Sequence, residues 1–139
     1  MSNSNSNFGS IARSIGAVFA GLVAIFATHL GTDQVMHEMR IFPPWGEPMY
    51  DPSLNALALA YRCVFSVLGC HLAARLAPRA PMAHALALGG IGVLLSAAGF
   101  VATSDMDLGA RWYPAALVVS ALPCAWLGAF LYQPKALAQ

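Results

Sequence analysis

All six acidic residues of this chain fall on one side of a pattern of four long apolar stretches, which a membrane-spanning helical bundle accommodates and a soluble core does not. The stretches run from about 11 past 30, then over about 54–76, 81–103 and 114–132. Asp33, Glu38, Glu47 and Asp51 lie between the first and second, and Asp105 and Asp107 between the third and fourth. The other side carries Arg13, Arg75, Arg79 and Lys135 and no acid. Cations gather on the cytoplasmic side of membrane proteins because translocating them is unfavourable. Both termini and the turn after Leu76 are therefore expected in the cytoplasm, and both longer loops outside.

Composition agrees. Of 139 residues, 58% are hydrophobic and 9% charged, whereas a soluble domain carries about a quarter charged residues. A hydrocarbon core takes about 20 apolar residues per helix. Four helices and their loops use up the chain, which leaves room for one transmembrane domain. The expected layout is all-α, an up-down antiparallel four-helix transmembrane bundle. A polar tail occupies 1–10, helices about 11–41, 53–77, 81–103 and 114–133, and a cytoplasmic tail 134–139. The Ser/Asn start reads as frayed. Ala20, Ala24 and Ala27 resemble a cleavage site, but the apolar run is long enough to span, so helix one reads as an uncleaved anchor. A net charge of +1 argues against a nucleic-acid partner.

Small residues mark the expected helix contacts. Gly16, Ala20, Ala24 and Thr28 recur every four residues on helix one. On helix three, Gly89, Gly92, Ser96, Gly99 and Thr103 recur at steps of three and four, a smooth stripe of the kind that lets helices approach closely. Phe42-Pro43-Pro44-Trp45-Gly46 is expected to end helix one, because proline cannot continue a helix. Ser53 is a plausible cap for helix two, and Pro114 a first-turn residue of helix four. Pro123 lies in that helix and predicts a kink. Trp45, Tyr50, Trp112 and Tyr113, with Phe42, suit the membrane interface. Cys63, Cys70 and Cys124 lie in predicted helices; the first two share a face but stand about 10 Å apart by helical rise, too far for a disulfide. There is no CxxC, which excludes a thiol-redox enzyme of the four-helix membrane kind, and the cysteines read as small packing residues.

Buried charge is the feature closest to chemistry. Arg62 lies inside helix two and Asp33 inside helix one, at matching depths in an antiparallel hairpin. An arginine stranded in hydrocarbon costs at least about 2.5–3.5 kcal/mol, so Arg62 is expected to face inward and pair with Asp33. The pair reads as a structural ion pair, as a snorkelling arginine with a separate acid, or as a working charge. His29, Asp33 and His37, four residues apart, share a helix face. Asn55, Arg62, Ser66 and Gly69 share another. If the faces meet, His29, Asp33, His37, Arg62 and Ser66 form an outward-facing polar pocket. Two imidazoles and a carboxylate suit zinc, and Met36, Met39, Met49 and Met106 with imidazole suit monovalent copper. The ordinary alternatives are hydrogen-bonded packing and apolar filler. His71 and His84 are expected to reach water at the inner edge, with Arg75 and Arg79 near anionic headgroups. No phosphate loop, nucleophile elbow, HExxH or EF-hand pattern is present, so no cofactor and no catalytic residue is expected.

Thr32-Asp33, His37, the run Phe42-Pro43-Pro44-Trp45-Gly46-Glu47-Pro48-Met49, Ala60-Tyr61-Arg62 and Arg111-Trp112-Tyr113-Pro114 resemble a group of small uncharacterised bacterial four-helix inner-membrane proteins. The resemblance covers nearly the whole chain after its Ser/Asn start and implies the same architecture and membrane, but brings no assigned chemistry. In size and helix count the chain is also similar to small multidrug-resistance transporters. It departs from their embedded helix-one glutamate: here the corresponding region has Asp33, then Glu38 at the edge. Two functions follow as expectations. One is a structural or accessory protein that self-associates or docks on a larger membrane complex. The other is a small transporter or ligand- or metal-binding protein using the polar pocket.

Overall fold

A computed structural model describes residues 2–132; Lys135 and the tail expected at 134–139 lie outside them. Helix α1 spans Ser2–Glu38, α2 Pro52–Leu76, α3 Pro81–Ala102 and α4 Trp112–Phe130. Each is long and apolar enough to cross a membrane. Their outward side chains are apolar too: Phe19, Val64, Leu94 and Val119 are all exposed. Apolar surface on this scale marks a face that something other than water must cover.

Helix ends depart from the expected ones for local reasons. α1 stops at Glu38 rather than near Ile41, before its prolines. Arg40 turns left-handed (φ 57°), and the N–H groups of Ile41 and Phe42 fold back on the Met36 carbonyl at 3.0 and 3.1 Å. Glycine usually holds that position. Asp51, not Ser53, caps α2, accepting from the Ser53 N–H at 2.8 Å, and Pro52 sits in the first turn. α4 begins at Trp112, two residues before Pro114, and runs through Pro123.

α2 is the hub of the bundle. It packs on the other three helices, α3 packs on α4, and α1 touches α2 and α3 but, among the described residues, not α4. The core is built of small groups: Cys70, Ala73, Ala74, Ala85, Leu88, Ala125 and Ala129. Backbones come close where glycines sit. A methyl on Gly21 would meet the Gly69 carbonyl at 2.7 Å, one on Gly69 the Ile25 side chain at 2.3 Å, and one on Gly128 the Val67 carbonyl at 2.5 Å. On Gly89 it would meet Ala125 Cβ at 2.5 Å.

These positions correct both smooth stripes. On α3 the closest approach is at Gly89, and Gly92 also faces α4 as expected, at an ordinary 3.6 Å from Ala121 Cβ. Gly99 is exposed with nothing within 4 Å of where a Cβ would stand. On α1 the contact runs through Ala17 and Gly21, both buried, while Gly16 faces open space. Spacing shows which residues share a face, and over the stretches that carry these small residues both helices are apolar on most of their circumference, so spacing alone could not choose the face that packs. The three cysteines are free, Cys70 and Cys124 buried.

Candidate functional site

The two long connections lie at one end of the bundle and are tied together. Met49 N–H donates to the Leu108 carbonyl at 3.1 Å, Met49 bridges to Gly109, and the Tyr50 hydroxyl donates to Asp107. Gly109 is required there: its φ is 119°, and a Cβ would lie 2.2 Å from the Met49 carbonyl oxygen. Buried Asn55, which the sequence places on one helix face with Arg62 and Ser66, donates to the Met49 and Asp51 carbonyls, each at 2.9 Å. It fastens the loop. Tyr50 keeps its proton above the usual tyrosine range because its hydroxyl bonds to Asp107. Asp51 is held below the usual carboxylate range by the Ser53 hydroxyl and N–H.

Beneath this cap lies the buried charge. Asp33 on α1 is only 6% exposed. One carboxylate oxygen accepts from Arg62 Nη2 and the other from the Tyr61 hydroxyl. The guanidinium carbon stands 5.9 Å from the Tyr113 ring centroid, so α4 joins the cluster through a cation–π contact. His29, one turn along α1, meets the Arg62 carbonyl at 3.1 Å through Nε2, which donates because a carbonyl only accepts. Both oxygens of Asp33 are thus engaged, and three helices converge on one arginine.

Tyr61 and Tyr113 were absent from the pocket read in the sequence. Tyr113 was expected at the membrane interface beside Trp112; it turns inward, half-buried, while Trp112 stays exposed. Adjacency of Tyr61 to Arg62 was the one available signal, since a residue neighbouring a buried charge can offer it a hydrogen bond. His37 does not join the cluster. Its Nδ1 donates to the Pro43 carbonyl at 2.6 Å, and its ring lies 3.9 Å from that of exposed Trp45. The left-handed turn at Arg40 folds the loop back over this part of α1, and that takes His37 away from Asp33.

His71 and His84 are likewise tied to the backbone rather than simply reaching water. Nδ1 of His71 donates to the Gly128 carbonyl at 3.2 Å, and Nδ1 of His84 to Ala80 at 3.1 Å. Among the described residues no three His, Cys, Asp or Glu side chains stand close enough to hold a metal ion. The His-Asp-His run therefore does not converge as a zinc set would require.

One helical turn deeper, a cavity of about 130 Å³ lies among all four helices. His29, Arg62, Ser66, Ser96 and Ser120 supply its polar lining, and Leu22, Leu88 and Leu117 part of its apolar lining. Of the expected pocket, His29, Arg62 and Ser66 are brought together here; Asp33 is sealed behind Arg62, and His37 faces a loop cleft. Fold and site mark the chain as a multi-pass helical membrane protein. No family model, no curated protein and no solved structure compared with the chain matches it.

Proposed function

We propose that this is an up-down antiparallel four-helix protein of a bacterial inner membrane, with both termini cytoplasmic, serving as a structural or accessory subunit without catalysis of its own. The carrying observation is the saturation of Asp33 by Tyr61 and Arg62. A buried charge pair with every carboxylate oxygen occupied works as a clamp between helices. The apolar outer faces fit a lipid bilayer and leave room for a second copy or a larger complex. The distribution of Arg13, Arg75 and Arg79 against the six acids supports the orientation. The same small bacterial inner-membrane group that the loop motifs resemble is the family to which we assign it.

The test is a double-mutant cycle in detergent. Losing one partner of a buried pair leaves the other uncompensated, at about 3–5 kcal/mol, while replacing both is near neutral. Asp33→Asn and Arg62→Leu should each destabilise, and the double variant should recover much of the loss. A double variant as unstable as the two singles combined would rule out the clamp. Reporter fusions at Arg79 should read cytoplasm and those at Glu47 or Asp107 periplasm; the reverse would overturn the orientation. Purification from native membranes in mild detergent should retain a partner or a second copy. A second reading, a ligand-binding membrane protein, is favoured by the polar cavity next to Arg62.

A further inference from the structure

The cavity beside Arg62 has a route of entry and a recognisable chemistry. No residue of either long connection lines it, and the Asp33–Tyr61–Arg62 cluster lies between it and the loop cap. Among its lining residues, Phe26 on α1 and Leu95 on α3 are the exposed ones, at 47% and 48%. Both belong to apolar stretches long enough to span a membrane. Toward the α2–α3 turn, α1 and α3 are closed by Leu88 against Gly21. The exposed part of the lining therefore stands on the flank shared by α1 and α3. The way in is sideways, from the hydrocarbon.

The lining selects what enters. Ser66 and Ser96 form no hydrogen bond among the described residues, and Nη2 is the one Arg62 nitrogen there with a partner. Its Nε is also unpartnered but sealed from any ligand, which leaves Nη1 as the arginine's free, accessible edge. Nη1 can only donate and each serine hydroxyl can donate as well as accept, and an unpaired donor in a low-dielectric site calls for an acceptor. The charge of Arg62 is already balanced by Asp33, so an anion gains no net attraction. A cavity of about 150 Å³ takes one benzene ring, so the space here holds a head of roughly that bulk.

Resting on the second, ligand-binding reading above, we propose that the cavity takes the compact, neutral carbonyl head of a hydrophobic molecule delivered from the bilayer, with its apolar tail lying between Phe26 and Leu95. A lipid ester and a prenylated ring carbonyl share this chemistry.

The test uses the full chain in phosphatidylcholine vesicles and two photoreactive diazirine probes, a fatty acid methyl ester and an alkane of equal length. The ester should label saturably at Phe26, Leu95 and Ser96, about tenfold above the alkane, as one added hydrogen bond warrants. Unlabelled methyl oleate and a decyl benzoquinone are the competitors, and the stronger one names the source. Ser96→Leu fills the cavity while leaving Asp33, Tyr61 and Arg62 unchanged and should abolish the saturable labelling; Ser66→Val serves if that variant does not fold. Equal labelling by ester and alkane, or full labelling of a folded cavity-filling variant, overturns the proposal. A water-soluble maleimide on Cys63, which also lines the cavity, separates two failures. If Cys63 reacts from water while the ester does not label, lateral entry falls and the binding reading stands. If neither reagent enters, both fall.

Discussion

Replacing Gly128 by alanine is the sharpest test of how this bundle is held together. An added Cβ would lie 2.5 Å from the Val67 carbonyl oxygen and 2.9 Å from both Cys70 Cβ and the His71 backbone nitrogen. Two of these three neighbours are backbone atoms of α2, which no rotamer change can move. Ordinary contact begins at 3.4 Å, so α4 must retreat by roughly 1 Å or tilt. A gap of 0.5–1 Å forfeits about a quarter to a half of each dispersion contact, and a contact is worth about 0.1–0.2 kcal/mol. With on the order of 30 atom pairs along the α2–α4 seam, the loss comes to roughly 1–3 kcal/mol, the usual range for overpacking. The His71–Gly128 hydrogen bond, at 3.2 Å, lengthens with the same movement. Gly99→Ala is the matched control. Nothing stands within 4 Å of its Cβ position, so the better helix former should leave stability unchanged or raise it by up to about 1 kcal/mol. The assay is reversible unfolding in mixed micelles, followed by tryptophan fluorescence. A Gly128→Ala protein as stable as wild type, or a Gly99→Ala protein destabilised as much as it, would refute the packing described here.

The loop cap makes two further expectations. Gly109→Ala places a side chain on a left-handed backbone and against Met49, so the two connections should separate; faster amide exchange at Met49 and Asn55, with α1 unaffected, is the sign to look for. The pH dependence has two limbs of opposite sign. Asp51 is depressed, so its contribution is present above the usual carboxylate range and disappears as the pH falls through its folded pKa, below about 4. Tyr50 is raised, so its contribution is present up to about pH 10 and disappears above that as the pH climbs through the folded value. Asp51→Asn should flatten the acid limb of the Trp45 fluorescence titration and Tyr50→Phe the alkaline limb; an alkaline limb that survives Tyr50→Phe would discount the Tyr50–Asp107 contact.

Four apolar runs, the turn prolines and the one-sided acids were enough to derive four spanning-length helices, because hydrocarbon admits few ways to satisfy a backbone. Matched depth was enough to pair Asp33 with Arg62, since either charge alone is too costly to strand. Where neighbours decide, the sequence was silent or misleading. Gly89 and Gly99 read alike along α3, yet one meets Ala125 and the other meets nothing. His29 and His37 read alike along α1, yet a left-handed turn at Arg40 brings the loop over His37 and leaves His29 with Arg62. Tyr113 read as an interface anchor until α4 placed its ring beside a guanidinium. Periodicity reports which residues share a face, and where a span is apolar on most of its circumference, hydropathy cannot say which face turns inward. That choice belongs to the packing of Gly21, Gly69, Gly89 and Gly128, where backbones approach closely enough to exclude any side chain, and it is made only when the four helices meet.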